Sequence, residues 1–298
     1  MDERRLRSFV TVAEELHFTR AAQRLFATQS TVSATVRALE QELGVALLTR
    51  TTRAVRLTDA GAAFLPEARA ALEALDRARA SVEPPDSALR GSLAIGTLSS
   101  LTTVDVPALT GDFHRRYPQV RLRADISPRG AAGHAERVKA GLLDLAFIGL
   151  GEDDPDLDAR PLREFPLAAF VARAHPLAGR GSVRLAELAG EPFIEQPLGF
   201  AQRTVVDAAF AAHRLQRAIT VEVPDVATVP AYVAHGVGIA FLPRAMSAID
   251  LPVVALRVED ADLRWTLSVV SAHGRPLSRA AEAFLRLVPA HTRTGPFF

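Results

Sequence analysis

Residues 28–44 carry two opposed faces at helical spacing, and this pattern limits the possible folds of the chain more than any other. The apolar residues recur at steps of four, three and four positions and are expected to face inward: Val32, Val36, Leu39 and Leu43. Thr28 is the expected N-cap, and Gly44 stands where a left-handed residue ends a helix at low cost. The opposite face carries polar side chains: Gln29, Ser30, Ser33 and Arg37.

Two helices are expected before this one and a hairpin after it. Apolar residues at helical spacing predict a helix over residues 4–16, and Thr19 is the expected N-cap of a short second helix. Strand-like segments at 46–49 and 55–57 flank an arginine-bearing tip: Arg50-Thr51-Thr52-Arg53. A small helical bundle with a solvated polar face is one interpretation. The short hydroxyl and amide groups favour a winged helix-turn-helix instead, because they can approach base edges closely.

Composition narrows the possible functions. Residues 1–58 carry a net charge of +3 and the remainder −2, which suits contact with nucleic acid at one end. The chain has no cysteine, which excludes disulfides, thiolate nucleophiles and thiol redox sensing. The sequence shows no apolar run of about 18 residues and no signal-peptide stretch at Met1–Arg4, so we expect a cytoplasmic protein without membrane contact.

A long helix is expected to follow the hairpin, with Thr58 as its N-cap and an end near Val82. One apolar seam has the 3.5-residue average period of a coiled coil and predicts dimerisation: Phe64, Ala68, Ala71, Leu75, Ala78 and Val82. An amphipathic helix that packs on its own chain is the alternative. Pro66 should kink the helix, and residues 83–91 are interpreted as a hinge around Pro84-Pro85.

From Leu93 onward, short apolar strands alternate with helices, which predicts an α/β body with largely parallel sheets. The expected strands are 93–97, 120–126, 144–148, 167–172, 219–223, 237–242, 253–258 and 266–270. The expected helices are 106–117, 202–212, 226–235 and a last one from Ser278 to Val288. In such sheets, ligands bind beyond the carboxyl ends of the strands.

The N-terminal region resembles the DNA-binding signature of the LysR family of transcriptional regulators. The matching residues are Phe18-Thr19-Arg20-Ala21-Ala22, Leu25, Gln29-Ser30-Thr31-Val32-Ser33, Leu39-Glu40-Gln41-Glu42-Leu43-Gly44, Leu48, Arg50 and Leu57-Thr58-Asp59-Ala60-Gly61. The resemblance implies that the third helix reads the major groove and that Arg53 serves the wing. The DNA-binding candidates are Thr28, Gln29, Ser30, Thr31, Ser33, Arg37, Arg50 and Arg53. Ser30 and Ala34 depart from the proline and the long polar residue that the family often has there.

The body resembles the effector domain of the same family. The landmarks are Pro107, Phe113, Pro118, Gly141-Leu142-Leu143-Asp144-Leu145-Ala146, His175-Pro176-Leu177-Ala178, Gly236-Val237-Gly238-Ile239-Ala240 and Pro243. The resemblance implies two lobes joined by crossover strands, as in periplasmic solute-binding proteins. The expected division is a DNA-binding domain at 1–58, a linker helix and hinge at 59–90, and an effector domain at 91–298. Its lobes would be 91–161 with 267–298, and 162–266.

An effector site is expected in the cleft between the lobes, where the strand 93–97 runs into residues 98–103 ahead of a helix. Hydroxyls and free backbone N–H groups there suit a carboxylate, although Ser99 and Thr102 could simply cap the helix. With positions carried over from the family, the candidates are Thr97, Ser99, Ser100, Leu101, Thr102, Ser127, Pro128, Ile148, Gly149, Gln196, Phe200, Ala227 and Thr228. Arg129 and Arg203 are near enough in sequence to contribute, so we expect a small, partly apolar organic acid.

No catalytic constellation is recognisable, and we expect no cofactor and no metal. The eight histidines are scattered without metal-ligand spacing, and Gly236-Val237-Gly238 enters a strand rather than leaving one for a helix. We expect a non-enzymatic transcriptional regulator whose partners are an operator in duplex DNA, a small effector, further copies of itself as a dimer or tetramer, and RNA polymerase if it activates. A DNA-binding protein with a ligand-free body and a plain solute-binding protein are the alternatives.

Overall fold

The computed structural model describes residues 1–50, 55–80, 89–98, 101, 103–150, 154–248 and 250–293. The chain forms a helical head, a long helix and an α/β body, so the expected fold class is confirmed. In this part of the chain, no helix combines the length and the apolar character needed to cross a bilayer.

The head consists of α1 (Glu3–Glu15), α2 (Phe18–Arg24) and α3 (Gln29–Leu43) around one apolar core. The largest fully buried side chain of the head is Phe9, and the α3 residues Val32, Val36 and Leu39 pack into the same core. The caps of α3 are as expected: the Thr28 hydroxyl accepts a hydrogen bond from the Thr31 N–H group, and Gly44 adopts a φ of 69°.

Three details of the head differ from the expectations. His17, not Thr19, caps α2, because its Nδ1 atom accepts the Thr19 N–H group at 3.2 Å. Leu43 is 37% exposed, because it occupies the last position of α3, beyond the reach of the core. Ser33 is only 5% exposed instead of facing outward. At 3.6 residues per turn, Ser33 lies about 60° from Val36 around the axis, which places it at the edge of the buried face.

The wing begins with β1 (Leu48–Arg50) and β2 (Val55–Leu57), which pair antiparallel. The expected hairpin is therefore present. Its tip, including Arg53, lies outside the described residues, as does the side chain of Arg50.

The linker helix α4 (Asp59–Ala80) begins at the expected cap: the Thr58 hydroxyl accepts the Gly61 N–H group at 2.9 Å. Pro66 lies inside this helix. The first half of the expected seam packs on the chain's own head, because Ala68 is buried there and the Phe64 ring lies 5.4 Å from the Phe9 ring.

The assignment of the whole seam to dimerisation is therefore wrong for its first half. Phe64, Ala68 and Ala71 all pack against the core of the head, as do the neighbouring Leu65 and Leu72. Leu75 and Ala78 are exposed, and Val82 lies outside the described residues.

The body contains ten strands and six α-helices among the described residues. In chain order they are β3 (Gly91–Thr97), α5 (Val106–Arg116), β4 (Val120–Ile126), α6 (Gly130–Lys139), β5 (Leu145–Leu150), β6 (Leu157–Ala172), β7 (Ser182–Val183), α7 (Leu185–Leu188), β8 (Pro192–Glu195), α8 (Ala201–Ala212), β9 (Ala218–Glu222), α9 (Val229–Ala234), β10 (Ala240–Pro243), β11 (Val253–Val258), β12 (Arg264–Ala272) and α10 (Arg279–Leu287).

The first lobe is built on strands in the order β4-β3-β5-β12-β6. Helices α5 and α10 cover one face, where the Phe113 and Phe284 rings meet edge to face at 5.3 Å. Helix α6 covers the other face through Ala131 and Val138. The ends of β3, β4 and β5 therefore open toward the second lobe.

The second lobe continues the same sheet through the second half of β6, which pairs antiparallel with β10 and β11. Strands β8 and β9 form a separate parallel pair, and α8 closes the core through Phe210 against Phe193 and Phe241. The chain enters this lobe along β6 and returns at Leu263, whose carbonyl oxygen accepts the Leu167 N–H group. These two crossings form the hinge between the lobes.

The sheets are mixed rather than largely parallel, because both crossover strands run antiparallel to their neighbours. Strand β6 is also ten residues longer at its start than the expected 167–172, and β7 and β8 were not expected at all. The expected strand 237–242 begins only at Ala240, and the expected helix 226–235 is the shorter α9.

Candidate DNA-binding face and interlobe cleft

The N-terminal turn of α3 presents a cluster of hydroxyl groups. The Thr28 Oγ1 atom lies 2.9 Å from the Ser30 Oγ atom and 2.7 Å from the Thr31 Oγ1 atom. Gln29 and Ser30 are exposed beside this cap. The backbone N–H groups of a helix start carry a partial positive charge, so this end of α3 suits a phosphate or the acceptors of a base edge.

Two turns further on, Arg37 is exposed on the same side of α3, and within the described ranges it has no ion-pair partner. Ala34, which is exposed between these polar groups, leaves room for close approach. Of the eight DNA-binding candidates, five therefore share an accessible surface or its edge: Thr28, Gln29, Ser30, Thr31 and Arg37. Ser33 is buried, so it does not belong to that surface.

A pocket of about 430 Å³ lies between the two lobes of the body. The first lobe supplies the ends of β3, β4 and β5 and the start of α6. The second supplies the loop after β8, the start of α8 and the turn before α9. The crossover strands close the back of the pocket with Phe165 and Trp265, whose rings stack at 4.7 Å.

Seven of the thirteen effector candidates line this pocket: Thr97, Leu101, Ser127, Pro128, Gly149, Gln196 and Phe200. Ser99, Ser100 and Thr102 lie outside the described residues. The remaining three candidates do not line it. Ile148 faces α6, because side chains alternate along β5. Ala227 and Thr228 lie on the exposed side of a turn whose Pro224, Asp225 and Val226 reach the pocket instead.

The cations expected near the cleft are engaged elsewhere. The Arg129 guanidinium donates two hydrogen bonds of 2.7 Å to Glu136. Arg203 pairs with Asp207 at 2.9 Å and with Glu222 at 3.1 Å. Neither arginine lines the pocket, so its described walls carry no cationic side chain.

His134 lines the pocket as an uncharged group. Its Nε2 atom lies 3.0 Å from the Thr97 carbonyl oxygen and 3.3 Å from the Ser127 nitrogen. Burial lowers the pKa of this imidazole, and the charge of Arg137 lowers it further, while the Thr97 carbonyl acts in the opposite direction. The neutral form is therefore the stable one near pH 7.

The start of α5 is closed by the chain itself. The Asp105 carboxylate accepts the Ala108 N–H group at 3.0 Å and also pairs with Arg293. The Ala108 hydrogen bond, together with the Arg293 guanidinium, lowers the pKa of Asp105, so the cap is an anion. The idea that Ser99 or Thr102 caps this helix is wrong, because Asp105 holds that position.

Sequence reasoning missed most of the apolar wall. The missed residues include Leu98, Ile126, Gly130, Ala131, His134, Phe165, Pro197, Gln202, Pro243, Trp265 and Leu267. The single tryptophan was the one available signal, but its place depends on pairing between β6 and β12, about 100 positions apart in the sequence. Within the described part of the chain, no group of three histidine or acidic side chains could hold a metal ion.

A helix-turn-helix head joined by a long helix to a two-lobed domain with a central pocket defines the class of ligand-responsive DNA-binding proteins. Residues 4–62 match the family model described as "Bacterial regulatory helix-turn-helix protein, lysR family". Residues 86–293 match the model described as "LysR substrate binding domain". The chain therefore belongs to the LysR family and is a DNA-binding transcriptional regulator with an effector-binding domain.

Individual relatives are similar to this chain over nearly its whole length. The uncharacterized HTH-type transcriptional regulator YybE of Bacillus subtilis is 31% identical over 98% of this chain and 99% of its own length. The HTH-type transcriptional activator CmpR of Synechocystis is 30% identical over 95% and 93% of the two chains. A full-length OxyR variant from Pseudomonas aeruginosa superposes with a TM-score of 0.78 at 25% identity, covering 99% and 98%. The relatives are named as transcriptional regulators, which confirms the expected family and function.

Proposed function

We propose that this regulator binds its operator as a homo-oligomer and that a small molecule in the interlobe cleft changes the DNA-bound state. The observation that carries the proposal is the pairing of an exposed polar start of α3 with a pocket between two hinged lobes. Lobe closure on a ligand would shift the arrangement of the heads, because a ligand that binds one arrangement better increases its population.

The proposed division of labour follows the expected domain limits. Residues 1–58 bind DNA, residues 59–90 link and dimerise, and residues 91–298 bind the effector. Lobe I takes 91–161 with 267–298, and lobe II takes 162–266. The separate apolar cores of the head and the two lobes support three bodies, and the core of the head also includes the first half of α4.

The proposed DNA contacts are Thr28, Gln29, Ser30, Thr31, Arg37, Arg50 and Arg53. Gln29 and Ser30 would contact base edges in the major groove, while Arg37 would contact phosphate. The exposure of the helix start and the unpaired Arg37 among the described residues support this assignment. Contact with RNA polymerase is proposed for the case in which the regulator activates transcription, and a dimer or tetramer through α4 would present paired heads.

Selection from a random duplex library with the full-length chain tests the proposal. We expect an approximately palindromic sequence with half-sites spaced by one helical turn, about 10 base pairs, or a multiple of it. A matched selection with Arg37→Ala should enrich the same sequence more weakly, because phosphate contacts carry no sequence information. A library that shows no enriched sequence would contradict the proposal.

A further inference from the structure

We propose that the interlobe cleft takes an uncharged, predominantly apolar molecule of two to three rings in place of the organic acid expected from the sequence. This inference rests on the function proposed above and names the chemical class of the effector. The volume of the cleft, its lining and the positions of the surrounding charges support it.

The size of the cleft sets the scale of the ligand. Its volume of about 430 Å³ is within the usual range of ligand pockets, roughly 300–1,000 Å³. An engineered apolar cavity of about 150 Å³ is known to take benzene. The cleft therefore has about three times that room, enough for two or three fused or linked rings with a small polar substituent.

The walls are apolar from the back of the cleft to its mouth. Phe165 and Trp265 form the back, and Leu98, Leu101 and Phe200 line the sides. Ile126 stands at the end of β4 and is 61% exposed although it lines the pocket. A large apolar side chain exposed at the mouth gains most when an apolar ligand covers it.

An anion would lose its hydration in this cleft without gaining a cation. The described lining carries neither lysine nor arginine, and residues 98–103 contain none in sequence. The helix start that could have held a carboxylate is already occupied by the Asp105 carboxylate, which also pairs with Arg293. Asp225, the one acidic lining residue, accepts the Ala227 N–H group at 3.2 Å. Burial of an unpaired charge is among the most costly changes in a binding site.

The available polar groups suit an uncharged acceptor or amide. The Trp265 indole N–H group is buried, and within the described ranges it has no acceptor. The Gln196 side-chain amide lines the pocket without a hydrogen bond to any other described residue. The Gln196 amide can bind a carbonyl or ether oxygen on a ring without supplying a formal charge, whereas the Trp265 N–H group has almost no accessible surface and only the ring of Trp265 lines the cleft.

The single tryptophan makes the test direct, because Trp265 is the only tryptophan of the chain and lines the cleft. We would titrate the full-length protein at pH 7.5 with N-phenyl-1-naphthylamine and with 8-anilinonaphthalene-1-sulfonate, which adds a sulfonate to the same skeleton. Quenching of Trp265 emission by energy transfer reports occupancy. The uncharged probe should bind about tenfold or more tighter than the sulfonate, because only the sulfonate must be desolvated as an ion.

A charge introduced at the mouth should change this preference. Ile126→Lys places a cation at an exposed position, so the sulfonate should gain about tenfold in affinity, whereas the matched Ile126→Gln should leave the order of the probes unchanged. Equal or tighter binding of the sulfonate to the unmodified protein would overturn the inference and leave a ligand-binding cleft in place. Quenching by neither probe would overturn the inference alone, because an apolar cleft of this volume must admit the uncharged probe, and it would leave the effector response open to a small organic acid.

Discussion

The Arg69 guanidinium of α4 forms a buried ion pair with the Glu14 carboxylate of α1. Its other terminal nitrogen donates to the carbonyl oxygen of Gly141, in the loop that follows α6. One side chain thus connects the head, the linker helix and the first lobe. Helix α6 begins at the pocket-lining Gly130 and ends at Lys139. The cleft therefore lies at the start of α6, and Arg69 contacts the loop just beyond its end.

Arg69→Ala should destabilise the junction by roughly 1–3 kcal/mol. The loss is smaller than for a fully isolated charge, because Arg24 still pairs with Glu14 after the substitution. Calorimetry of the full chain should show a lower first unfolding transition. Arg286→Ala, which removes an exposed pair with Glu282, is the matched control and should leave that transition unchanged. Equal shifts for the two variants would show that the junction does not stabilise the fold.

The polar face of α3 should separate sequence preference from general affinity. Gln29→Ala should change the order in which operator variants are bound, since an amide at a base edge discriminates by about 1–3 kcal/mol. Arg37→Ala should weaken all sequences alike and reduce the salt dependence by about one phosphate contact. Fluorescence anisotropy across a salt series measures both effects.

Ser33→Ala is the internal control for that face. Because Ser33 is buried beside the core, its loss should affect the stability of the head and leave the order of operator variants unchanged. A change of preference with Ser33→Ala and none with Gln29→Ala would reverse the assignment of the two faces.

The second half of the linker helix should control assembly. Leu75 is 40% exposed in the single chain. Leu75→Glu should therefore raise the dissociation constant of the dimer by about tenfold or more. Sedimentation velocity over a concentration series measures this. Ala68→Leu, which inserts methyl groups into the core of the head, should lower the unfolding temperature without the same effect on assembly. A dimer that is indifferent to Leu75→Glu would mean that another surface holds the copies together.

Two histidines should titrate on opposite sides of the ordinary pKa of 6.5. Burial lowers the pKa of His134, whereas the hydrogen bond and the charge of Asp158 raise the pKa of the exposed His273. The folded form of His134 binds a proton less readily than the unfolded form, so the associated stability is complete above pH 6.5 and is lost as the pH falls below it. Histidine Cε1–H resonances followed by NMR should give this order. A His134 resonance that titrates above 6.5 would contradict it.

Local periodicity made most of the helical elements predictable, although α6 and α7 were not expected. Helix α3, its Thr28 cap and its Gly44 terminus could be predicted because caps and apolar spacing depend only on neighbouring residues. The same spacing does not indicate whether Ala68 packs on its own chain or on a partner, because a small apolar residue suits both the core of the head and a coiled-coil interface. The prediction that Ser33 faces outward failed for a related reason. A four-residue step turns by more than one full helical turn, so Ser33, four residues after Gln29, lies at the edge of the buried face.

The cleft was predictable where it follows strand ends and unpredictable where it depends on distant pairing. Thr97, Ser127 and Gly149 come directly after or within strands whose ends meet at one edge, and they line the pocket. Phe165 and Trp265 reach it only because β6 and β12 cross between the lobes, which no local pattern reveals. The expected contribution of Arg203 to the cleft failed in the same way, since its salt-bridge partners Asp207 and Glu222 cannot be identified from sequence spacing alone.

Gly149 should be the most sensitive glycine of the cleft. A Cβ atom there would lie 2.5 Å from the Ala201 Cβ atom of the second lobe and 2.7 Å from the Trp265 ring. Contacts under about 3 Å cannot be accommodated by a flexible side chain here, because one neighbour is a helix start and the other ring is stacked on Phe165. Gly149→Ala should therefore hold the lobes apart, weaken binding of the uncharged naphthylamine probe by about tenfold or more, and lower stability by roughly 1–3 kcal/mol.

Gly190→Ala is the matched control, since a Cβ atom at Gly190 meets nothing within 4 Å and its φ is not in the left-handed region. Operator binding without effector should survive in both variants, because neither glycine contacts the head. Unchanged probe binding by Gly149→Ala would mean that the two lobes adapt to the added methyl group and that the spacing at Gly149 does not set the width of the cleft.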